Sequence, residues 1–367
     1  MCHREAKCYG ENRNYSTNKL AGQGDSMISR RRGVGDQGDR MITRRDLLSL
    51  VVLALTAPIS VFAQKEKTSY IVGVLRYSHR DSNVPYIAAF KQGLESFGYI
   101  EGNNLTLHIR YADGEAERLG PLAEELVRLK VDIIMAMDTL STRAAQRAST
   151  VIPIVIGTAT DPVGNGLVAS LARPGGNTTG LSNMASDIVP KRLELLVAIL
   201  PKITRVAVLV NSANPASRPE LKAIEEASKR VGLKLITLEV NRPAQIEQAF
   251  SAMTQQRVEG LIVSLDPMLS QQRNLIASLA LKNRILAIGG TLLYAEAGML
   301  ISYGQNVSES YRRAATYVDK ILKGAKAGDL PVEQPTTIEL VVNNKTAKAL
   351  GIKFPQSILV QATTVIE

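Results

Sequence analysis

The sequence predicts an α/β protein of two similar halves, each a parallel sheet covered by helices, facing each other across a cleft that a hinge can close. Two observations carry this prediction. From Ser69 onward, short β-branched runs alternate with amphipathic segments. After the turn-rich stretch Arg173-Pro174-Gly175-Gly176-Asn177 the same alternation starts again. A third observation sets the compartment: residues 41–64 have every part of an export signal.

In the first half, the apolar run at 71–75 reads as a strand. Residues 86–97 place Ile87, Phe90, Leu94 and Phe97 three or four apart, which is one stripe of a helix. Strands then follow at 105–111, 131–135 and 152–156, with helices at 117–129 and 139–149 between them. This βαβ repetition pairs strands in parallel through right-handed crossovers. The second half opens with a strand at 178–181 and a helix at 189–200. Strands at 206–210, 233–240, 260–265 and 285–288 follow, separated by helices. The expected boundaries are one lobe over 68–183 with about 304–330 returning to it, and a second over 184–303 with about 331–367 returning to it.

The export signal has Arg44 and Arg45 as its basic start. An apolar run over 47–57 is broken only by Ser49 and Thr56, and Val61-Phe62-Ala63 forms a small-residue end before Gln64. That run is shorter than the roughly 20 apolar residues that span a bilayer. Thr43-Arg44-Arg45-Asp46-Leu47 resembles a twin-arginine signal, with the Sec route as the alternative. Cleavage is expected near Ala63-Gln64, giving a periplasmic protein. Residues 1–40 are polar and aperiodic and read as a disordered or untranslated extension, with translation starting at Met41; a long basic leader from Met1 or Met27 is the alternative. The extension holds a G-x-G-x-x-G match at 33–38. Arg30-Arg31-Arg32 stands where a nucleotide-binding motif needs a strand, so the match is rejected.

Composition narrows the function. Both cysteines, Cys2 and Cys8, precede the signal, so residues 65–367 hold no thiolate metal site and no cysteine for lipid attachment. Lys and Arg outnumber Asp and Glu 44 to 34 over the whole chain and 34 to 28 beyond residue 64. That modest excess is interleaved with acids, as in Glu220, Lys222, Glu225, Glu226, Lys229 and Arg230, which marks a solvated face and not a nucleic-acid surface. The three histidines, His3, His79 and His108, have no metal-binding spacing, and no P-loop occurs. With no nucleophile, base and orienting group in view, neither an enzyme nor a cofactor is expected.

Three stretches carry a resemblance. They are Thr160-Asp161-Pro162-Val163-Gly164-Asn165-Gly166-Leu167-Val168 through Leu171-Ala172-Arg173-Pro174-Gly175-Gly176-Asn177-Thr178-Thr179-Gly180; Gly298-Met299-Leu300-Ile301-Ser302-Tyr303-Gly304; and Ile321-Leu322-Lys323-Gly324 to Pro335 with Asn344-Lys345-Thr346-Ala347-Lys348-Ala349-Leu350-Gly351. Together they resemble the ABC transporter substrate-binding family that includes the tryptophan- and tyrosine-type binding proteins, over essentially all of the chain beyond the signal. The resemblance implies a type I periplasmic-binding-protein fold, with two Rossmann-like lobes joined by three crossing strands. It also implies a small-molecule ligand, amino-acid-like as a class, delivered to a membrane permease and its ATPase by a binding protein expected to be a monomer. The stretch 288–298 departs from the family's usual aromatic and basic residues followed by Gly-Gly.

In open α/β sheets ligands bind beyond the carboxyl ends of the strands, and this selects the candidate residues. Tyr77 and Ser78 leave the first strand; Tyr77 suits stacking or hydrogen bonding to a ligand, and equally a lid or surface place. Thr139, Ser141 and Thr142 follow Asp138 at a helix start, fit either for a ligand carboxylate or for capping. Thr160 and Asp161 follow the fourth strand, and Asp161 suits a ligand ammonium or the cap of a helix begun by Pro162. In the second half Asn211 and Asp266 leave strand ends. Asp266 is the preferred partner for a positive ligand group, with capping before Pro267 the alternative. Tyr294 and Tyr303 are placed at the hinge side. No Trp and five Phe argue mildly against a sugar or large aromatic ligand, an argument that eleven tyrosines soften. A periplasmic sensor partnering a chemoreceptor or histidine kinase is the alternative function, and a repressor is excluded because an export signal stands where its DNA-binding helices belong.

Overall fold

The computed structural model describes residues 69–367; the export-signal reading and the extension before it lie outside the described residues. Strands β1 (Tyr70–Arg76), β2 (Leu105–Tyr111), β3 (Ile133–Ala136), β4 (Ile154–Ala159) and β5 (Thr178–Ser182) form one sheet in the order β2-β1-β3-β4-β5, parallel throughout. The second sheet holds β6 (Arg205–Asn211), β7 (Lys234–Val240), β8 (Gly260–Val263), β9 (Leu286–Gly289), β10 (Ile301–Gln305), β11 (Ile338–Asn343) and β12 (Thr364–Ile366), in the order β12-β11-β10-β9-β8-β6-β7. Its first five strands repeat the winding of the first sheet. The short apolar runs β3, β8 and β9 are buried along their whole length, as strands covered by helices on both faces must be.

Parallel strands were expected throughout, but β11 runs antiparallel to β10, with Ile338 opposite Gln305. The cause is topological. After β10 the chain leaves for the first sheet, where helix Val307–Leu322 packs beside helix Val84–Ser96 and against β4 and β5. It comes back at the same boundary, so β11 starts where β10 stopped. The chain thus crosses three times between the sheets: after β5, after β10 and before β11. Side chains pin these crossings: Thr179 Oγ1 donates to the Leu330 carbonyl at 2.6 Å, Tyr317 Oη to the Pro331 carbonyl at 2.8 Å, and Gln305 Nε2 to Thr158 Oγ1 at 3.0 Å.

No helix begins at Pro162. Residues 161–168 form turns, with Asp161 at φ 39° and its Oδ1 accepting from the Gly164 amide at 2.9 Å. Four residues beyond Pro162, Gly166 takes a φ of 66°, and the second glycine in this stretch favours turns over a helix.

A buried ion pair organises the second lobe. Arg192, on helix Ala185–Ile199, meets Glu220, on helix Ser217–Arg230, at 2.9 Å, with 1% and 2% of the side chains exposed. Arg192 Nε also donates to the Tyr303 carbonyl at 2.9 Å. Glu220 Oε2 accepts from the Leu265 amide at 3.0 Å and from the Ser264 hydroxyl. Beside the pair, the backbones of Gly290 and Gly304 touch: a Cβ on Gly304 would lie 1.9 Å from the Gly290 carbonyl oxygen.

Two stability predictions follow from this packing. Glu220→Ala leaves a buried guanidinium unpaired and is expected to cost about 3–5 kcal/mol in urea unfolding, whereas the double variant Arg192→Met/Glu220→Leu should recover most of that loss. Gly304→Ala forces two backbones apart and should cost about 1–3 kcal/mol by the same measurement.

Candidate ligand-binding site

Between the lobes lies a cavity of about 650 Å³, counted to its open mouth, within the roughly 300–1,000 Å³ of small-molecule sites. Every strand end that reaches it is a carboxyl end. Arg76 and Ser78 come from β1, Asp138 and Thr139 from β3, Thr158 and Thr160 from β4; across the gap stand Asn214 after β6, Asp266 after β8 and Thr291 after β9. In each sheet the strand order reverses between the two strands that supply the central groups, β1 and β3 in one, β6 and β8 in the other. This is the crevice at which doubly wound sheets bind ligands.

The lobes mirror each other here. Asp138 caps helix Thr139–Ala148: its Oδ1 accepts from the Ser141 amide and its Oδ2 from the Ser141 hydroxyl, both at 2.9 Å, and the Tyr77 amide lies 3.4 Å from Oδ2. Asp266 caps the turn of helix at Pro267 through the Leu269 amide at 3.0 Å. Its Oδ2 accepts from two asparagine amides, Asn211 at 3.1 Å and Asn214 at 2.8 Å. Loss of water raises the pKa of both carboxyls, and the hydrogen bonds to each oppose that shift. Asp138 accepts three hydrogen bonds from the protein, leaving one of about four acceptor positions open, whereas Asn211, Asn214, Leu269 and the Met268 amide together serve Asp266.

Ser78, Thr139, Thr160 and Asp266 therefore line the cavity. Thr139 Oγ1 accepts from the Thr160 amide at 3.2 Å, and Thr160 Oγ1 from Asn183 at 2.9 Å, so the two threonines are fixed by the wall. Ser141 and Thr142 are buried in the capping of their helix, with Thr142 Oγ1 donating to the Asp138 carbonyl at 2.7 Å. Asn211 stands behind Asp266 as its donor. Tyr77 is buried in an apolar cluster that runs from Leu75 and Leu119 of the first lobe into Met268 and Leu269 of the second. Burial pushes its phenol up to about 12, with Asp266 of the opposite lobe the next contributor. Tyr77 thus bridges the lobes at the rim. Asp161 is engaged in its own turn, Tyr294 is wholly buried in the second lobe's core, and Tyr303 packs in β10 against the apolar cluster under the second sheet.

Of the lining groups that were not among the sequence candidates, four matter most for the chemistry. Tyr86 and Tyr311 form a tilted ring pair at 5.2 Å on the first-lobe side, and Tyr311 Oη is fixed by the Met137 carbonyl at 2.7 Å. Gly157 makes room for Tyr311, whose ring would lie 2.4 Å from a Cβ there. Burial pushes the Tyr86 phenol up to about 12, a shift tempered by the nearby Thr291 hydroxyl. That hydroxyl, the third group, has no hydrogen bond of good geometry. The fourth is Arg76, 2% exposed, whose guanidinium lies 5.7 Å from the Tyr111 ring centre and whose Nη1 is buried with no partner. Helix periodicity shows Tyr86 and Tyr311 only as core positions. Arg76 carried a signal, since an arginine ending a strand of buried apolar residues is a costly placement. Among the described residues no cluster of His, Cys, Asp and Glu could hold a metal, and no helix is long and apolar enough to cross a membrane.

Comparison with known proteins agrees with this architecture. The family model described as ABC transporter substrate binding protein matches residues 71–366. A tyrosine-binding protein of Clostridioides difficile is 28% identical over 264 residues, covering 72% of this chain and 76% of the relative. The crystal structure of an ABC domain from Streptococcus pneumonia in complex with L-Trp superposes with a TM-score of 0.76 at 25% identity, covering 81% of this chain and all of the other. The ligand-free, open structure of a Clostridium difficile substrate binding protein with adhesive properties gives 0.61 at 26% identity, covering 81% of this chain and 99% of the other. With one fold, one cleft and a match over the whole described length, the chain belongs to the ABC transporter substrate-binding protein family.

Proposed function

We propose that this protein is the exported solute-binding component of an ABC uptake transporter, that it takes an α-amino acid into the cleft, and that it acts as a monomer without chemistry on the solute. The observation that carries the reading is the cavity itself, walled by strand ends from both lobes and offering opposite charges. Arg76 is available to a carboxylate, and Asp138 keeps an acceptor position for an ammonium group, with the charge of Asp266 facing it from the other lobe. Tyr86 and Tyr311 add an aromatic wall, so a ring-bearing side chain fits the site. The tyrosine-binding and L-Trp-bound relatives support the same ligand class.

The mechanism is closure about the three crossings. A ligand that meets both lobes only when they are together shifts the population toward the closed form, which a permease can distinguish from the open one. The better superposition on the L-Trp complex than on the open structure, at nearly equal identity, fits a closed arrangement.

Thermal unfolding of the purified protein against amino acids, small carboxylates, nucleosides and sugars tests the ligand class. An amino acid should raise the midpoint in a concentration-dependent way, because binding only the folded state stabilises it; a rise confined to sugars or nucleosides would refute the amino-acid reading. Export is tested separately, by the intact mass of the protein recovered from the periplasm. Cleavage near Ala63-Gln64 is the expected result, and retention of residues 41–63 would contradict it.

A further inference from the structure

The two lobes present the same arrangement at the cleft with one difference. Each has an aspartate after its central strand, capping the following helix. The strand beside it ends in Asn211 in the second lobe and in Arg76 in the first. Asn211, with Asn214, turns its amide onto Asp266, and the acid is satisfied from within its own lobe. Arg76 does not do this for Asp138. Among the described residues its Nη1 is buried with no hydrogen-bond partner and no ion pair within 4 Å is formed; the guanidinium lies against the face of Tyr111, and its charge reaches Asp138, Tyr86 and Tyr311 without bonding to them. Asp138 takes its hydrogen bonds from Ser141 and the Tyr77 amide instead.

A guanidinium with five donors, almost wholly withdrawn from water and left unpaired, is an expensive thing to build into a wall. The carboxylates around it are already served by protein donors. What the cavity lacks is an acceptor for Arg76. The planar fork of an arginine matches a carboxylate with two parallel hydrogen bonds, which an ammonium or an amide cannot reproduce. The Thr291 hydroxyl comes from the opposite lobe and faces the Tyr86 phenol without a hydrogen bond of good geometry, and that phenol is also within the field of Arg76.

We propose that Arg76 holds the negatively charged end of the solute, with Thr291 meeting the same end from the second lobe, so that the cleft selects ligands carrying a carboxylate. This rests on the solute-binding reading above and assigns the residue that sets its specificity. Arg76 is a binding residue in this role, and the Asp138 and Asp266 side of the cavity is left to the positive end.

Matched pairs test the assignment: L-tyrosine against tyramine and L-tryptophan against tryptamine, titrated calorimetrically into the wild-type protein and into Arg76→Gln, Arg76→Lys and Thr291→Val. The wild type should bind the amino acid of at least one pair on the order of 100-fold more tightly than its decarboxylated partner, since losing the carboxylate leaves a buried charge unpaired. In Arg76→Gln the amino acid should weaken while the amine, no longer held against an unpaired buried charge, binds at least as well as to the wild type, so the ratio collapses. Arg76→Lys should restore part of it, and Thr291→Val should lower the ratio about tenfold. A wild type that does not tell the pair apart, or an Arg76→Gln variant in which both members weaken together, overturns the assignment and leaves the transport reading standing. If no amino acid binds, the amino-acid reading fails, and Arg76 is then decided by benzoate against benzamide and succinate against succinamide. Preference for the acids, lost in Arg76→Gln, upholds its role, and binding of neither acid overturns it.

Discussion

The buried pair of Arg192 and Glu220 is the contact on which the second lobe's side of the cleft depends. Arg192 stands on the first helix after the chain crosses from the first lobe, and its guanidinium reaches the Tyr303 carbonyl in the strand that leads to the next crossing. Glu220 receives the Ser264 hydroxyl and the Leu265 amide, the two residues before Asp266. One ion pair therefore ties two hinge elements to the loop that carries the cleft's acid. A buried pair is a poor source of net stability when set against an apolar replacement. Its worth here is geometric: it fixes where the loop after β8 points, and an apolar pair of the same volume would not.

That fixing matters because the fold presents its groups by repetition. The same winding, β2-β1-β3-β4-β5 in one sheet and β7-β6-β8-β9-β10 in the other, brings two reversal points face to face. Each contributes an aspartate that caps a helix, and capping holds the carboxylate in place by backbone amides, which do not move with rotamers. A site built this way is rigid within each lobe and adjustable only between lobes. The adjustable joint consists of the three crossings, and Tyr77 packs among apolar groups of both lobes, so its burial depends on their being together.

Much of this was legible in the residues. The order of elements followed from apolar periodicity, and the loops that line the cavity followed from where the strands end, so Ser78, Thr139, Thr160 and Asp266 were reachable from sequence. The capping alternative held open for Asp266 is what the hydrogen bonds display, and at the first lobe's helix start the cap expected of the hydroxyls at 139–142 falls to Asp138. What could not be read was the direction of side chains on elements that contribute one face to the core and one edge to the cavity. Tyr86 and Tyr311 have the spacing of core residues and are buried like core residues, yet their rings also wall the cleft. Tyr294 is the converse: it follows a strand end, but Gly289 leaves space beneath it, and the ring turns inward. The antiparallel strand β11 escaped because strand direction depends on where the chain returns, which no local pattern encodes.

Arg76 gives the asymmetry of the two lobes a role in closure. With the lobes together its guanidinium is almost cut off from water and its Nη1 has no hydrogen-bond partner, and a poorly paired buried charge costs several kcal/mol even after relaxation. Opening the cleft rehydrates it, so the empty protein is biased toward the open form by its own binding residue. A shift from one part in a hundred closed to ninety-nine requires about 5.5 kcal/mol of differential binding, and neutralising one desolvated charge is of that order. A ligand that brings the missing anion removes the penalty that held the lobes apart, while a ligand of similar shape without it meets the same pocket and leaves the penalty in place. Discrimination and closure then arise from a single unpaired charge, and the mirror-image lobe, whose acid is already satisfied by Asn211 and Asn214, serves as the fixed surface against which the first lobe closes.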